Sequence, residues 1–138
     1  MTNKETLAFF ANLYRVPEKR LPTFHSYMKL LTKQGIPEGV NVGRGSRFDY
    51  DEEALWQMAL VCELINCGLT IQAAVDAAKP HLATGDFRLS DTLEVRLHKL
   101  GIGRRESLIQ IDVAGLRSAI EQVIAYRPSP ASNSISTP

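Results

Sequence analysis

The chain has 138 residues, 44% of them apolar and 22% charged, with a formal net charge of +1. That length suits one domain with a real core and at most a small appendage. Bulk charge therefore does not call for nucleic acid, and no apolar run approaches the ~18 residues needed to span a bilayer.

The start, Met1-Thr2-Asn3-Lys4-Glu5, lacks the basic and apolar regions of a signal peptide, so a cytoplasmic protein is expected, with no membrane partner. The charge is unevenly placed. Residues 1–50 hold eight bases against four acids, and the remainder holds eight against eleven. A basic first third on a neutral chain fits one nucleic-acid-facing surface and one partner-facing remainder.

Leu7, Phe10, Ala11 and Tyr14 recur at helical spacing and predict a first helix over 4–14, capped by Thr2 or Asn3. Arg15-Val16-Pro17 should end it, because a residue before proline avoids the helical region. Pro17-Glu18-Lys19-Arg20 reads as one helical turn, interrupted by Pro22.

Thr23 then suits the N-cap of a second helix reaching Gln34. Phe24, Tyr27, Met28 and Leu31 form its expected core stripe. His25, Lys29 and Lys33 repeat on another face, with Ser26 and Thr32 nearby. Gly35 is a fitting C′ residue, and Pro37 blocks continuation.

Val40 and Val42, then Phe48 and Tyr50, alternate with polar residues. They predict two short strands around Gly43-Arg44-Gly45-Ser46. Arg44 would sit at the tip and Arg47 on the return strand, both able to reach phosphates or a narrow minor groove. A basic amphipathic helix followed by a basic hairpin is the layout of a winged helix-turn-helix.

Asp51 is a good N-cap for a third helix, with Glu52 and Glu53 in its first turn and Tyr50 and Leu55 at the hydrophobic-staple positions. Leu55, Met58, Ala59, Cys62 and Ile65, joined by Trp56, Leu60, Val61 and Leu64, make it apolar nearly all round. It should therefore be central. Asn66-Cys67-Gly68 ends it. Thr70 caps a fourth helix with Ile71, Ala74, Val75 and Ala78 on one face and Pro80 as its stop.

Residues 82–86 read as a break, and Phe87-Arg88-Leu89 as a possible further strand. Leu93, Val95 and Leu97, then Ile109, Ile111 and Val113, alternate with polar residues and predict a hairpin around the loop 101–105. Asp112 should cap a last helix with Val113, Leu116, Ala119, Ile120 and Val123 inward. After Tyr126 the Ser/Pro-rich tail cannot build a core and should be disordered. The organisation expected is residues 1–80 as a DNA-binding domain, 87–125 as a dimerisation or partner region, and 127–138 as a tail.

No grouping of a catalytic kind is present: no nucleophile elbow, no phosphate loop, no metalloprotease His pair, and three histidines in three elements. Cys62 and Cys67 lie on different faces of one helix without a clustered His, so reduced thiols are expected, with no metal and no cofactor.

From Gly45-Ser46-Arg47-Phe48-Asp49-Tyr50-Asp51-Glu52-Glu53-Ala54-Leu55 through Cys67-Gly68-Leu69-Thr70-Ile71, the sequence resembles the MerR-like winged-helix family. Arg47, Tyr50, Leu55 and Gly68-Leu69-Thr70 match that family's positions on the wing, the next helix and the following turn. The resemblance covers about residues 5–79. It implies a fold that is mainly α with small β elements, a winged helix-turn-helix domain, and double-stranded DNA as partner. The usual Arg-Tyr-Tyr of the recognition helix is absent, with Phe24-His25-Ser26-Tyr27 in its place. The segment up to Gly35 is about a turn longer. The long coiled coil and the metal-sensing cysteines are also lacking, so the family's effector sensing and promoter remodelling are not implied.

The function expected is sequence-specific DNA binding by a homodimeric transcriptional regulator, using Arg20, Thr23, His25, Ser26, Lys29, Lys33, Arg44 and Arg47. An architectural excision factor of a mobile element, which small relatives of this fold can be, would share the same contacts. A winged adaptor that binds protein through its C-terminal region, without DNA, would not need them.

Overall fold

The computed structural model describes residues 1–39, 49–98 and 106–125. These residues are mainly helical, with one two-stranded antiparallel sheet. Among them no helix is long and apolar enough to cross a membrane. The wing expected over 40–48, the loop 101–105 and the tail beyond Tyr126 lie outside the described residues.

Helix α1 (Asn3–Leu13) opens with a capping box. The Thr2 hydroxyl accepts from the Glu5 N–H, and the Glu5 carboxylate accepts from the Thr2 N–H. It buries Phe10 fully and Leu7 and Tyr14 in part. At its end the Val16 N–H reaches the Ala11 carbonyl and the Arg15 N–H reaches Asn12, the Schellman pattern. Arg15 takes the left-handed position, at φ 52°.

A 3₁₀ turn (Glu18–Arg20) runs straight into α2 (Leu21–Lys33). Thr23 is therefore not an N-cap but the third residue of the helix. Arg20 holds the cap position without a side-chain hydrogen bond, and Pro22 sits in the first turn instead of interrupting. The reason is local. The Arg20 N–H already bonds Pro17, so the chain is coiled before Leu21. In the first turn of a helix, proline forgoes an N–H that has no intrahelical partner anyway. The helix ends in the same Schellman pattern, with Gly35 at φ 83° and with Leu31 and Ile36 both buried.

Helix α3 (Glu52–Asn66) is the centre of the molecule, as its all-round apolar pattern predicts. Asp51 caps it by accepting from the Ala54 N–H, and Tyr50 and Leu55 are both buried at the staple positions. Residues 54–62 and Leu64 are buried, against α4 and α5 among others. Each fully buried Leu here, Leu55, Leu60 and Leu64, stabilises by roughly 1.5–3 kcal/mol relative to exposure.

Helix α4 (Ile71–Thr84) is capped by Thr70 and buries Ala74, Val75 and Ala78. Pro80 does not stop it, and residues 82–84 are helical, not a break. Gly85, left-handed at φ 71°, ends it. A single proline removes one helical hydrogen bond, and packing on α3 is enough to carry the helix past it. The following Phe87-Arg88-Leu89 is likewise not a strand. It lies in a 3₁₀ turn (Asp86–Leu89) that buries Phe87 edge-on against Trp56, with centroids 5.7 Å apart.

Strands β1 (Thr92–His98) and β2 (Glu106–Asp112) form the predicted hairpin, with Val95 opposite Ile109 and Leu93 opposite Ile111. Val95 and Ile111 are buried, while Glu94, Arg96, Leu108 and Gln110 face outward. The Asp112 carboxylate then accepts from the Gly115 N–H at the start of α5 (Val113–Ala125), which buries Val113, Leu116 and Ile120. Arg117 ties this region together: its guanidinium donates to the Arg88 and Ser90 carbonyls and lies 3.7 Å from the Asp91 carboxylate. One hydrophobic cluster runs from Phe10 through α3 to Ile120, so the hairpin and α5 share a core with the first four helices.

Candidate nucleic-acid interface

Six of the expected DNA contacts fall on or beside α2. Arg20, Thr23, His25, Ser26, Lys29 and Lys33 are all exposed. At 3.6 residues per turn the helix divides into three stripes. Leu21, Phe24, Met28 and Leu31 face the core, with Met28 and Leu31 buried and the other two partly so. His25, Lys29 and Lys33 run along one flank at i, i+4, i+8. Thr23, Tyr27, Leu30 and Gln34 run along the other, at i, i+4, i+7, i+11. Arg20 lies at the head of this second stripe, so it and Thr23 are not on the same flank as the lysines. Ser26 sits on the outward pole between the two stripes.

Tyr27 does not belong to the core stripe. It is 45% exposed, as is Leu30. The buried arc is narrower than the four-residue pattern implies, because α2 packs principally on α1. Periodicity does not single out Leu30, since it sits beside Leu31 and reads as part of the same apolar run.

No acidic residue lies in α2, and among the described residues none of Arg20, His25, Lys29 or Lys33 is ion-paired. Three basic residues of the second half behave differently: Lys79, Arg88 and Arg117 each face a carboxylate. An exposed, acid-free, cationic flank leaves its donors available to a polyanion. The Ser26 and Thr32 hydroxyls donate to the Pro22 and Met28 carbonyls, and the Met28 sulfur lies 4.0 Å from Cys62 Sγ on α3.

The chain leaving α2 is also anchored. The Glu38 N–H donates to Gln57 Oε1, 2.8 Å away on α3, and Gln57 in turn donates to Glu53. It returns at Asp49 and Tyr50, where the Tyr50 N–H bonds the Met1 carbonyl at 2.8 Å and the Tyr50 hydroxyl bonds Asn3. Both ends of the segment carrying Arg44 and Arg47 are thus fixed at the N-terminal end of α3. The two arginines themselves lie outside the described residues.

Other polar groups serve the frame. The Tyr14 hydroxyl donates to Glu63 at 2.8 Å, and burial with that neighbouring carboxylate holds its pKa far above the ordinary phenol value. Burial pushes the Cys62 thiol up to about 12, so it stays neutral. The Arg88 guanidinium stands 5.8 Å from the centre of the Trp56 ring and pairs with Glu53 at 2.6 Å. Sequence reading misses this role of Arg88, whose partners are distant in the chain and leave no periodic trace. Among the described residues, no group of three potential metal ligands comes together. A cleft of about 370 Å³ lies between α1 and α5, lined by Phe9, Leu13, Ala119 and Val123 with the amides of Asn12 and Gln122.

Compared with family models, curated proteins and solved structures, the chain matches none.

Proposed function

We propose that this chain is a sequence-specific double-stranded DNA-binding protein of the MerR-like winged helix-turn-helix kind, acting as a dimeric transcriptional regulator. The observation that carries this reading is the exposed, acid-free face of α2, with His25, Lys29 and Lys33 in one line and, among the described residues, paired with no carboxylate. α2 enters the major groove, and Arg44 and Arg47 grip the adjacent backbone or minor groove. The hairpin and the turn before it carry the exposed Leu108 and Leu89, which support a contact with a second copy through this region.

A salt titration of binding to random duplex DNA tests the reading. Affinity should fall steeply with salt, and Arg44→Ala or Lys29→Ala should each reduce the log–log slope by about 1 while weakening all sequences alike. Absence of salt-dependent binding to any duplex sinks the proposal. Strong bending of the bound fragment would favour an architectural excision role over regulation.

A further inference from the structure

The second exposed stripe of α2 is the part of this face that phosphate contact leaves unexplained. Tyr27 and Leu30 are each 45% exposed on a helix whose core stripe is complete without them. They align with Thr23 at i, i+4, i+7, and Leu30 lies beside Ser26 on the outward side, opposite the buried Met28. Lysines flank this patch on one side and Arg20 stands at its head. The occupant it fits is therefore apolar at its centre and anionic at its margins. The major groove of a duplex has that form: phosphates line both walls, and the one apolar group on its floor is the C5-methyl of thymine.

Resting on the DNA-binding reading above, we infer that Leu30 and Tyr27 read thymine methyl groups. On this view α2 selects thymine-bearing steps by apolar contact, with Thr23 and Ser26 supplying hydrogen bonds at the edges. Such packing carries sequence information, which phosphate contacts from the other flank do not.

The test replaces thymine by uracil, which pairs identically and lacks only the methyl group. A random duplex pool is enriched on the wild-type protein and then resynthesised with either thymine or uracil. Binding of both pools is measured by fluorescence anisotropy. The wild type should bind the uracil pool more weakly, by about fourfold for each methyl group that the side chains cover. Leu30→Ala and Tyr27→Ala should each narrow the difference between the two pools, and the double variant should bind them alike, while Lys29→Ala weakens both and keeps their ratio. Both apolar positions are half exposed, so the variants should retain wild-type helix content by circular dichroism, which is checked alongside. Equal wild-type affinity for the two pools overturns this inference and leaves DNA binding standing. Retention of neither pool overturns both.

Discussion

Arg15 shows how one side chain can oppose the backbone it stands on. Three helices end in the same Schellman arrangement, at Arg15, Gly35 and Gly68, and only Arg15 brings a Cβ into the left-handed region. That conformation costs an L-residue roughly 1–2 kcal/mol. Arg15→Gly should accordingly raise the unfolding free energy by up to about 1 kcal/mol, because glycine relieves the strain but gives part of the gain back as entropy in the unfolded chain. Gly35→Ala should lower it by a similar amount. No atom lies within 4 Å of a Cβ added there, so backbone strain alone is at issue. Urea titrations of both variants check the opposite signs.

A second residue-scale expectation concerns Glu53. Burial alone would raise its carboxyl pKa, but hydrogen bonds from Arg88 and Gln57 and the Arg88 charge outweigh this and hold it below the ordinary 4.5. A depressed carboxylate contributes stability that is fully present above the unfolded value and is lost as pH falls through the folded one. The stability difference between wild type and Glu53→Gln should therefore be constant above about pH 5 and shrink in more acidic solution. A pH-independent difference would show that the Arg88–Glu53 pair contributes nothing through ionisation.

At the scale of elements, Pro80 is the clearest internal conflict. It lies inside α4, where its ring crowds the carbonyl of Asp76 and brings no N–H to bond it. Pro80→Ala restores the helical bond and should stabilise the protein by up to about 3 kcal/mol, read as a shift in urea midpoint at unchanged slope. Pro80 also marks where sequence patterns lose force. Caps are local, so Asp51, Thr70 and Asp112 can each be placed from their neighbours alone and the first cap narrowed to Thr2 or Asn3, while Thr23 fails as a cap because the turn before it is already coiled. Proline and short apolar runs are decided elsewhere. Pro22 and Pro80 have the look of stops, yet one falls in a first turn and the other is carried by packing on α3. Phe87-Arg88-Leu89 resembles a strand but turns to deliver Phe87 to Trp56. On α2 the cationic flank is legible from spacing, because charge at i, i+4 needs no knowledge of partners. The exposure of Tyr27 and Leu30 is not, because it depends on how little of α2 its neighbours cover.

For the whole molecule, the shared core matters most. The single tryptophan sits at the junction, 3% exposed, between α3 and the turn that leads into the hairpin. Trp56 fluorescence therefore reports docking of the turn that leads into the hairpin, while far-UV circular dichroism reports the helices together. The two signals should give coincident urea transitions, the signature of one cooperative unit. If fluorescence changes first, the hairpin and α5 detach as a separate body.

The Arg117 clamp has a bearing on how such a sequence can change over generations. Its guanidinium holds two main-chain carbonyls, those of Arg88 and Ser90, which any amino acid at those positions would present. Position 90 is thus free to drift without loosening the clamp. Position 117 is not, because a lysine offers a point charge in place of the planar fork that spans both oxygens. Among descendants of this chain, position 117 should stay arginine while position 90 varies around it.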